Sequence, residues 1–376
     1  MNSDLLKEIK NFYLSVGVFS FATSIIEIFV PLYLLIDKDF SLTSVILFYI
    51  AVQFGRIIFL PLSAYLSSRF GAKKIISFAF ILSAIFYALL QRIDHSPVIF
   101  YSCALIFGAF FAFLWIPYLV HLSKISPNGI RGKIIGRINI FTALARAFGP
   151  IFGGIIISVY GFEYGFALVI LLIIPSIYLL LSTPEKSKIR KINFRLINIK
   201  KIFPDLIANG FYNFQNFLNF LIWPAFIFLI VPYYNQIGFI QTVSLLISII
   251  AFALAGRWTD KFDRKKFLFW SNIFDMLINA LRIFANSFAS IFLVNIAKNF
   301  SWSFRKIPYH AKIYEHMDEE PRTEYVFFLE LSGAFFTLFG FLLFVFLIQS
   351  LSLKDALLYG IIISAIAGLP VSLLRK

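Results

Sequence analysis

The chain has 376 residues, of which 60% are hydrophobic and 14% charged, and Phe alone occurs 49 times. That much apolar surface excludes a water-soluble fold of this size, because the polar remainder could not cover it. The net charge of +15 does not point to nucleic acid either: a nucleic-acid reader needs a basic face on a soluble domain, and no soluble segment here exceeds about 25 residues.

The apolar residues gather into runs of about 20 or more, each long enough to cross roughly 30 Å of hydrocarbon as a helix. The first run, 12–36, follows a short polar opening, contains Glu27 and lacks a small-residue cleavage site, so it reads as a permanent helix rather than a signal peptide. Further spans are predicted at 42–67, 75–92, 97–121, 134–160 and 162–182. A polar stretch from Ser182 to Pro204 follows, carrying Lys186, Lys188, Arg190, Lys191, Arg195, Lys200 and Lys201. Six more spans are predicted at 205–232, 237–257, 267–286, 289–313, 323–350 and 354–373. The expected architecture is an all-α membrane protein of twelve transmembrane helices: one six-helix bundle over 1–182, a basic cytoplasmic linker over 183–204 and a second six-helix bundle over 205–376.

Orientation follows from Lys and Arg, because positively charged loops resist translocation. With both termini and the linker in the cytoplasm, the inner segments hold 27 of the 34 basic residues and the outer loops only Lys38, Arg92 and Lys354. The basic excess is then a set of anchors at anionic lipid head groups, each worth about 1 kcal/mol. A plasma or inner membrane is the expected location. Cys103 is the single cysteine, which excludes an intramolecular disulfide and a Cys-based metal cluster. His95, His121, His310 and His316 lack metal-ligand spacing and read as solvated loop or helix-end residues. No cofactor or metal is expected.

The two bundles repeat one another. Ile116-Pro117-Tyr118 recurs as Ile307-Pro308-Tyr309, an offset of 191, and Arg131 with Gly149 recurs as Arg322 with Gly340 at the same offset. The loop containing Ser68, Arg69, Gly71, Lys73 and Lys74 recurs at an offset of 192 as the loop containing Asp260, Lys261, Asp263, Lys265 and Lys266. Parallel halves related by an axis along the membrane normal are a transporter architecture with its site at the midplane.

These loops resemble the signature of the major facilitator superfamily, in which a Gly is followed four residues later by Asp, then by Arg and a Gly-Arg-Lys-like run. Gly256, Asp260, Arg264 and Lys265 match it in the second copy, and Arg69, Gly71, Lys73 and Lys74 in the first. Ser68 replaces the acidic residue, Ala64 and Ala72 replace Gly and Arg, and Asp263 replaces the second Gly. Gly149-Pro150-Ile151-Phe152-Gly153-Gly154 resembles a Gly-Pro-x-x-Gly-Gly motif common in the family and prominent among its proton-coupled exporters. Its generic reading is close helix packing. An Asp at the inner turn can accept from the free N–H groups of a neighbouring helix start, where the dipole also favours it. Asp260 is therefore expected to meet the start of the fifth helix near residues 131–134 with Arg305 close by, and uncharged Ser68 to make a weaker latch against the eleventh.

Ionisable groups at membrane depth are costly and mark candidate sites. Glu27, Arg56, Arg146 and Lys298 lie deep in four different spans, and the resemblance implies that these spans border a central cavity. A carboxyl there holds its proton more tightly when desolvated and less tightly when a cation approaches. Glu27 is thus either a proton carrier or half of a permanent salt bridge with Arg56 or Arg146. In the seventh span Asn209, Asn213, Asn216 and Asn219 share a face suited either to a polar solute or to helix pairing. Asn295, Lys298, Asn299 and Trp302 form a similar face in the tenth, and Trp115 and Tyr118 offer aromatic walls from the fourth. Asp275, Asn279 and Arg282 are expected to form a local ladder with Arg282 snorkelling outward, and Glu330 to pair with Arg305 or Lys298.

The expected function is secondary-active, proton-coupled transport of a small organic solute by a monomer set in lipid. Export of amphipathic compounds is the first reading, and uptake or exchange of an anionic or polar metabolite the second. No GxxxxGK[ST] signature is present for direct ATP drive, and no nucleophile–base pair or metal constellation for an enzyme. A non-transporting receptor with the same fold would usually carry an additional soluble domain.

Overall fold

The computed structural model describes residues 3–125, 131–183 and 192–375; the side chains of residues 3–6, 123–124, 131–139 and 260 lie outside that description. Helix α1 spans Ser3–Ile26 and continues through a tight turn at Glu27–Phe29 into a widened π segment ending at Asp37. Then come α2 (Leu42–Phe70), α3 (Ala72–Leu90), α4 (Pro97–Ile125), α5 (Arg131–Tyr160) and α6 (Phe162–Leu181). The second six are α7 (Ile199–Ile230), α8 (Tyr234–Lys261), α9 (Arg264–Leu281), α10 (Phe288–Glu319), α11 (Arg322–Ile348) and α12 (Leu353–Ala367). All twelve predicted spans correspond to helices. Several run a turn or more past the apolar runs, because hydropathy marks the part in lipid while the helix continues into polar residues beyond it.

The helix starts follow local chemistry. Ser41, Ser287 and Ser352 each accept a backbone N–H from the first turn of the helix they precede, satisfying donors that have no partner inside the helix. Asn198 does the same for Lys201 N at 3.3 Å and starts α7 before Pro204, so this helix reaches into the predicted linker. Eleven helices among the described residues are long and apolar enough to cross a membrane. The remaining one, α10, has the length but carries Asn295, Lys298, Asn299, Arg305 and Lys306.

Aromatic stacking does much of the packing and gives the abundance of Phe a structural use. Phe19 lies flat on Phe80 with centroids 3.8 Å apart, and Phe86 on Phe107 at 4.0 Å. Outward-facing Leu171, Ile174 and Phe346 are exposed and form the kind of apolar belt that lipid, not water, solvates.

The internal repeat is visible in contacts as well as in residues. Tyr118 of α4 stacks on Phe12 of α1 at 5.7 Å, and its counterpart Tyr309 of α10 stacks on Tyr212 of α7 at 4.2 Å. At the face that carries both chain ends, Glu8 of α1 meets Lys73 Nζ at 3.3 Å and lies 4.0 Å from His121 of α4. The equivalent place in the second half has Asp205 of α7 against His316 Nδ1 at 2.9 Å and Arg375 Nε at 3.1 Å. His121 and His316 are 3% and 2% exposed, which corrects the expectation of solvated histidines: each sits at a helix end but is turned onto a buried carboxylate.

The halves meet along two seams, α5 against α8 and α2 against α11. In the first, a Cβ on Gly154 would run 3.0 Å from Asn235 Cα, and one on Gly238 would strike the Pro150 carbonyl oxygen. Pro150 cannot donate to the preceding turn, and the next amide, Ile151 N, donates across the seam to Thr242 Oγ1 at 3.1 Å. Gly149 and Gly153 lie against Ser24 and Ile25 of α1 with no room for a side chain. The four residues Gly149, Pro150, Gly153 and Gly154 thus sit where helices touch backbone to backbone.

At the terminal face, Glu320 accepts from Lys201 Nζ at 2.6 Å and from Arg375 Nη1 at 3.0 Å. Burial alone would raise its pKa, but these two cations outweigh burial and hold the carboxyl below its usual range. A depressed folded-state pKa contributes stability above the ordinary carboxylate range, and that stability is lost as pH falls through the lowered value. The wild type is therefore expected to lose thermal stability in detergent on acidification below about pH 4, and Glu320→Gln to lose less. Identical pH dependence of the two melting temperatures would refute this.

Candidate functional site

The deep charged residues do not gather in one place; they form three clusters. In the first half, Arg146 of α5 donates to Glu27 Oε2 of α1 at 2.5 Å, and the side chains are 48% and 34% exposed. The tight turn beginning at Glu27 and the proline one helical turn after Arg146 set both residues at irregular points of their helices. Of the two predicted salt bridges, this is the one formed.

The second cluster joins the halves. Arg56 of α2 pairs with Glu330 of α11, and also reaches Gln53 Oε1 at 3.4 Å and Asn213 Oδ1 of α7 at 3.5 Å. Arg56 is 1% and Glu330 8% exposed. The expected partners of Glu330, Arg305 and Lys298, are both engaged elsewhere.

The third cluster fills the second half between α7, α9 and α10. Asp275 of α9 is fully buried and receives Lys298 Nζ at 2.7 Å, Ser301 Oγ at 2.8 Å and Arg305 at 3.2 Å. Asn279 donates to Asp275 at 3.0 Å and accepts from Arg282 at 2.7 Å, so the predicted ladder is present. Arg282, however, is 1% exposed. Rather than snorkelling outward, it pairs with Asn219 of α7 and lies 3.8 Å over the Trp223 ring. Lys298 corrects its predicted place in the same way: with Ser301 and Arg305 it lies on the stripe of α10 that faces α9, not on the stripe of Asn299, Trp302 and Lys306. Arg305 pairs with Gln215 and Asp275 and touches Asn216 Oδ1 at 3.4 Å, so it is an interior residue of this cluster.

The asparagine face of α7 is divided among these clusters. Asn213 serves Arg56, Asn216 serves Arg305 and Asn219 serves Arg282. Asn295 is saturated by Trp223 at 2.8 Å, Ser244 at 2.8 Å and Gln241 at 3.2 Å, and is 1% exposed. Trp115 is 37% exposed and meets Tyr118 edge-on. Trp302 lies under Lys306, whose Nζ is 4.5 Å from the ring and 5.5 Å from the Phe252 ring of α8. Lys306 thus lies on the side of α10 turned to α8. It was not among the predicted site residues because it stands beside other inner-end cations; the four-residue step from Trp302 was the available signal. A cavity of about 350 Å³ lies elsewhere, walled by Leu32, Phe40, Leu229 and Leu353, and holds no charged side chain.

The loop motifs are local structures. Gly71 has φ +96°, a conformation that favours glycine, and closes α2 as it opens α3. In the second copy Asp263 stands in its place and caps α9 by accepting from Lys266 N at 2.8 Å, which accounts for that departure from the family pattern. Ser68 Oγ donates to Tyr65 O of its own turn at 2.7 Å, so its proton is not offered to α11. Arg69 meets the Tyr65 hydroxyl at 3.0 Å, and Arg264 pairs with Glu315. A Cβ on Gly256 would touch nothing within 4 Å. The expected contact of Asp260 with residues 131–134 lies outside the described side chains.

The sequence model of the Major Facilitator Superfamily matches residues 12–235. The chain belongs to that superfamily. Among solved structures it is similar to a D-xylose–proton symporter, with 14% identity, 97% of each chain covered and a TM-score of 0.72. It is also similar to the nucleoside transporter NupG, with 13% identity, 96% of this chain and 98% of that one covered, and a TM-score of 0.70. At those identities the likeness is one of fold. No curated protein matches the chain. The superfamily member is a multi-pass membrane protein and a transporter rather than an enzyme.

Proposed function

We propose that the protein carries a small organic solute by alternating access and couples this to protons through Glu27. The observation that carries the reading is the Glu27–Arg146 pair: an acid and a base joined at 2.5 Å at membrane depth, with both side chains about one-third to one-half exposed. A pair that only held helices together has no need of water, whereas a carboxylate that must take up and release a proton needs a route to it. In the cycle Arg146 leaves and rejoins the Glu27 carboxylate, which is open to exchange a proton with water only while the pair is apart. The terminal face is taken as cytoplasmic, because the basic residues concentrate there. Trp115, Tyr118 and Trp302 suit the apolar part of an amphipathic solute. Export, the direction favoured by the sequence, rests on the aromatic-rich composition and the single first-helix carboxylate; neither is tied to a direction of carriage, and the proposal extends to both.

The test is flux in proteoliposomes under an imposed pH gradient, with cationic, neutral and anionic solutes. Glu27→Gln is expected to remove the response to the gradient while leaving downhill exchange. A variant that transports with the wild-type pH dependence ends the role of Glu27, and the absence of any carrier-dependent flux ends the transport reading.

A further inference from the structure

On the outer side of the first half, α5 and α6 flank α1 and leave a groove of about 460 Å³ between them. Gly17 and Phe21 of α1 form its floor, Phe141, Phe148 and Phe152 of α5 one wall and Leu172 of α6 the other; every lining residue is apolar. The Phe141 ring lies on the Gly17 backbone, where a Cβ would strike it, and Phe21 meets Phe152 edge-on at 5.9 Å. Behind the groove α1 is tied to α6: Ser15 Oγ donates to Ser176 O at 2.7 Å and Asn11 to Ser182 Oγ at 2.6 Å. Phe148 and Phe152 are on the stripe of α5 opposite Pro150 and Gly154, which face α8, so the groove belongs to the first half alone and opens toward lipid. Its floor continues along α1 toward the terminal face. Phe21, Val18, Leu14, Lys10 and Lys7 follow one another at three- and four-residue steps and so share a side of the helix. Both lysines are exposed, and among the described residues no carboxylate pairs with either. Glu8 is turned another way, onto Lys73 and His121.

We propose that this groove holds one acyl chain of an anionic phospholipid from the leaflet at the terminal face, with the lipid phosphate at Lys7 and Lys10. From Lys10 to Phe21 the stripe rises about 16 Å at roughly 1.5 Å per residue, close to the ~15 Å depth of one leaflet of hydrocarbon. A chain whose head group is at Lys10 therefore ends beside Phe21 and Phe152. The apolar wall by itself selects no lipid, since all lipid tails are equally apolar. Selection comes from the head group, because two lysines without an acid of their own attract an anionic lipid over a zwitterionic one. The position comes from the rings, which give the chain a lined trough on the otherwise convex surface of the first half. The inference is independent of which solute is carried and of Glu27.

The experiment is native mass spectrometry of the full-length protein, stripped of lipid in detergent and titrated with dioleoylphosphatidylglycerol or dioleoylphosphatidylcholine. The first phosphatidylglycerol is expected to bind roughly tenfold or more tightly than the first phosphatidylcholine. Replacing both lysines, Lys7→Gln together with Lys10→Gln, is expected to bring the two lipids level, and Lys7→Arg with Lys10→Arg to keep the preference. Ala145→Phe and Leu172→Trp place bulk in the groove and are each expected to weaken the first phosphatidylglycerol by roughly tenfold. Leu343→Phe, on the outward face of α11, is expected to leave it unchanged. Equal affinity of the two lipids for the wild type, or a preference that survives the loss of both lysines, overturns the proposal. So does undiminished binding in both groove-filling variants, or a loss in Leu343→Phe equal to theirs, since the chain then lies elsewhere.

Discussion

Asp275→Asn is expected to leave little stable protein. The side chain is fully buried and, among the described residues, is the one carboxylate in a cluster with Lys298, Arg305 and, through Asn279, Arg282. Neutralising it strands cations in the interior of the second half, and breaking a buried pair in this way costs about 3–5 kcal/mol. That is comparable to the whole stability of many domains, which lies at roughly 5–15 kcal/mol. The measurement is the fraction of detergent-extracted protein that elutes as a single species, with its melting temperature. Asp275→Glu keeps the charge and is expected to recover part of the loss. Should Asp275→Asn melt with the wild type, the cluster has no structural role.

The second large effect is expected at Glu330. Removing its charge leaves Arg56 buried at the α2–α11 seam with the amides of Gln53 and Asn213 and the Phe217 ring but no anion among the described residues, again at a cost of about 3–5 kcal/mol. Replacing both partners by methionine removes the stranded charge and is expected to restore most of the melting temperature, since an apolar pair of similar volume is often as stable as a buried ion pair. Transport separates the two variants further: the double variant is expected to fold yet to work poorly, because the pair joins the halves across a surface that must open. A double variant no more stable than Glu330→Gln alone would show that the ion pair is not the source of the loss.

The fold was legible in the sequence because lipid makes hydropathy nearly decisive: a run of about 20 apolar residues has few alternatives to a spanning helix. All twelve helices and the repeat of Pro117 in Pro308 could be read in that way. The site was legible only by depth. Depth marked Glu27, Arg56, Arg146 and Lys298, and correctly anticipated Glu27 with Arg146. It did not say which way a side chain points round its helix, so Lys298 was assigned to the centre although Asp275 draws it into the bundle. Nor did it find Lys306, since a cation near the inner end of a span looks like one more topological anchor. The buried facing of Glu8 with His121 and Asp205 with His316 escaped for a related reason: these residues lie at the edges of spans, where hydropathy treats every polar group as solvated.

Where Gly154, Gly238 and Pro150 meet, main chain rests on main chain. A contact of that kind survives a few degrees of rotation with one hydrogen bond, from Ile151 N to Thr242 Oγ1, to stretch, whereas the Arg56–Glu330 seam opposite must part before it can turn. The α5–α8 edge is thus built like an axle and the α2–α11 edge like a catch.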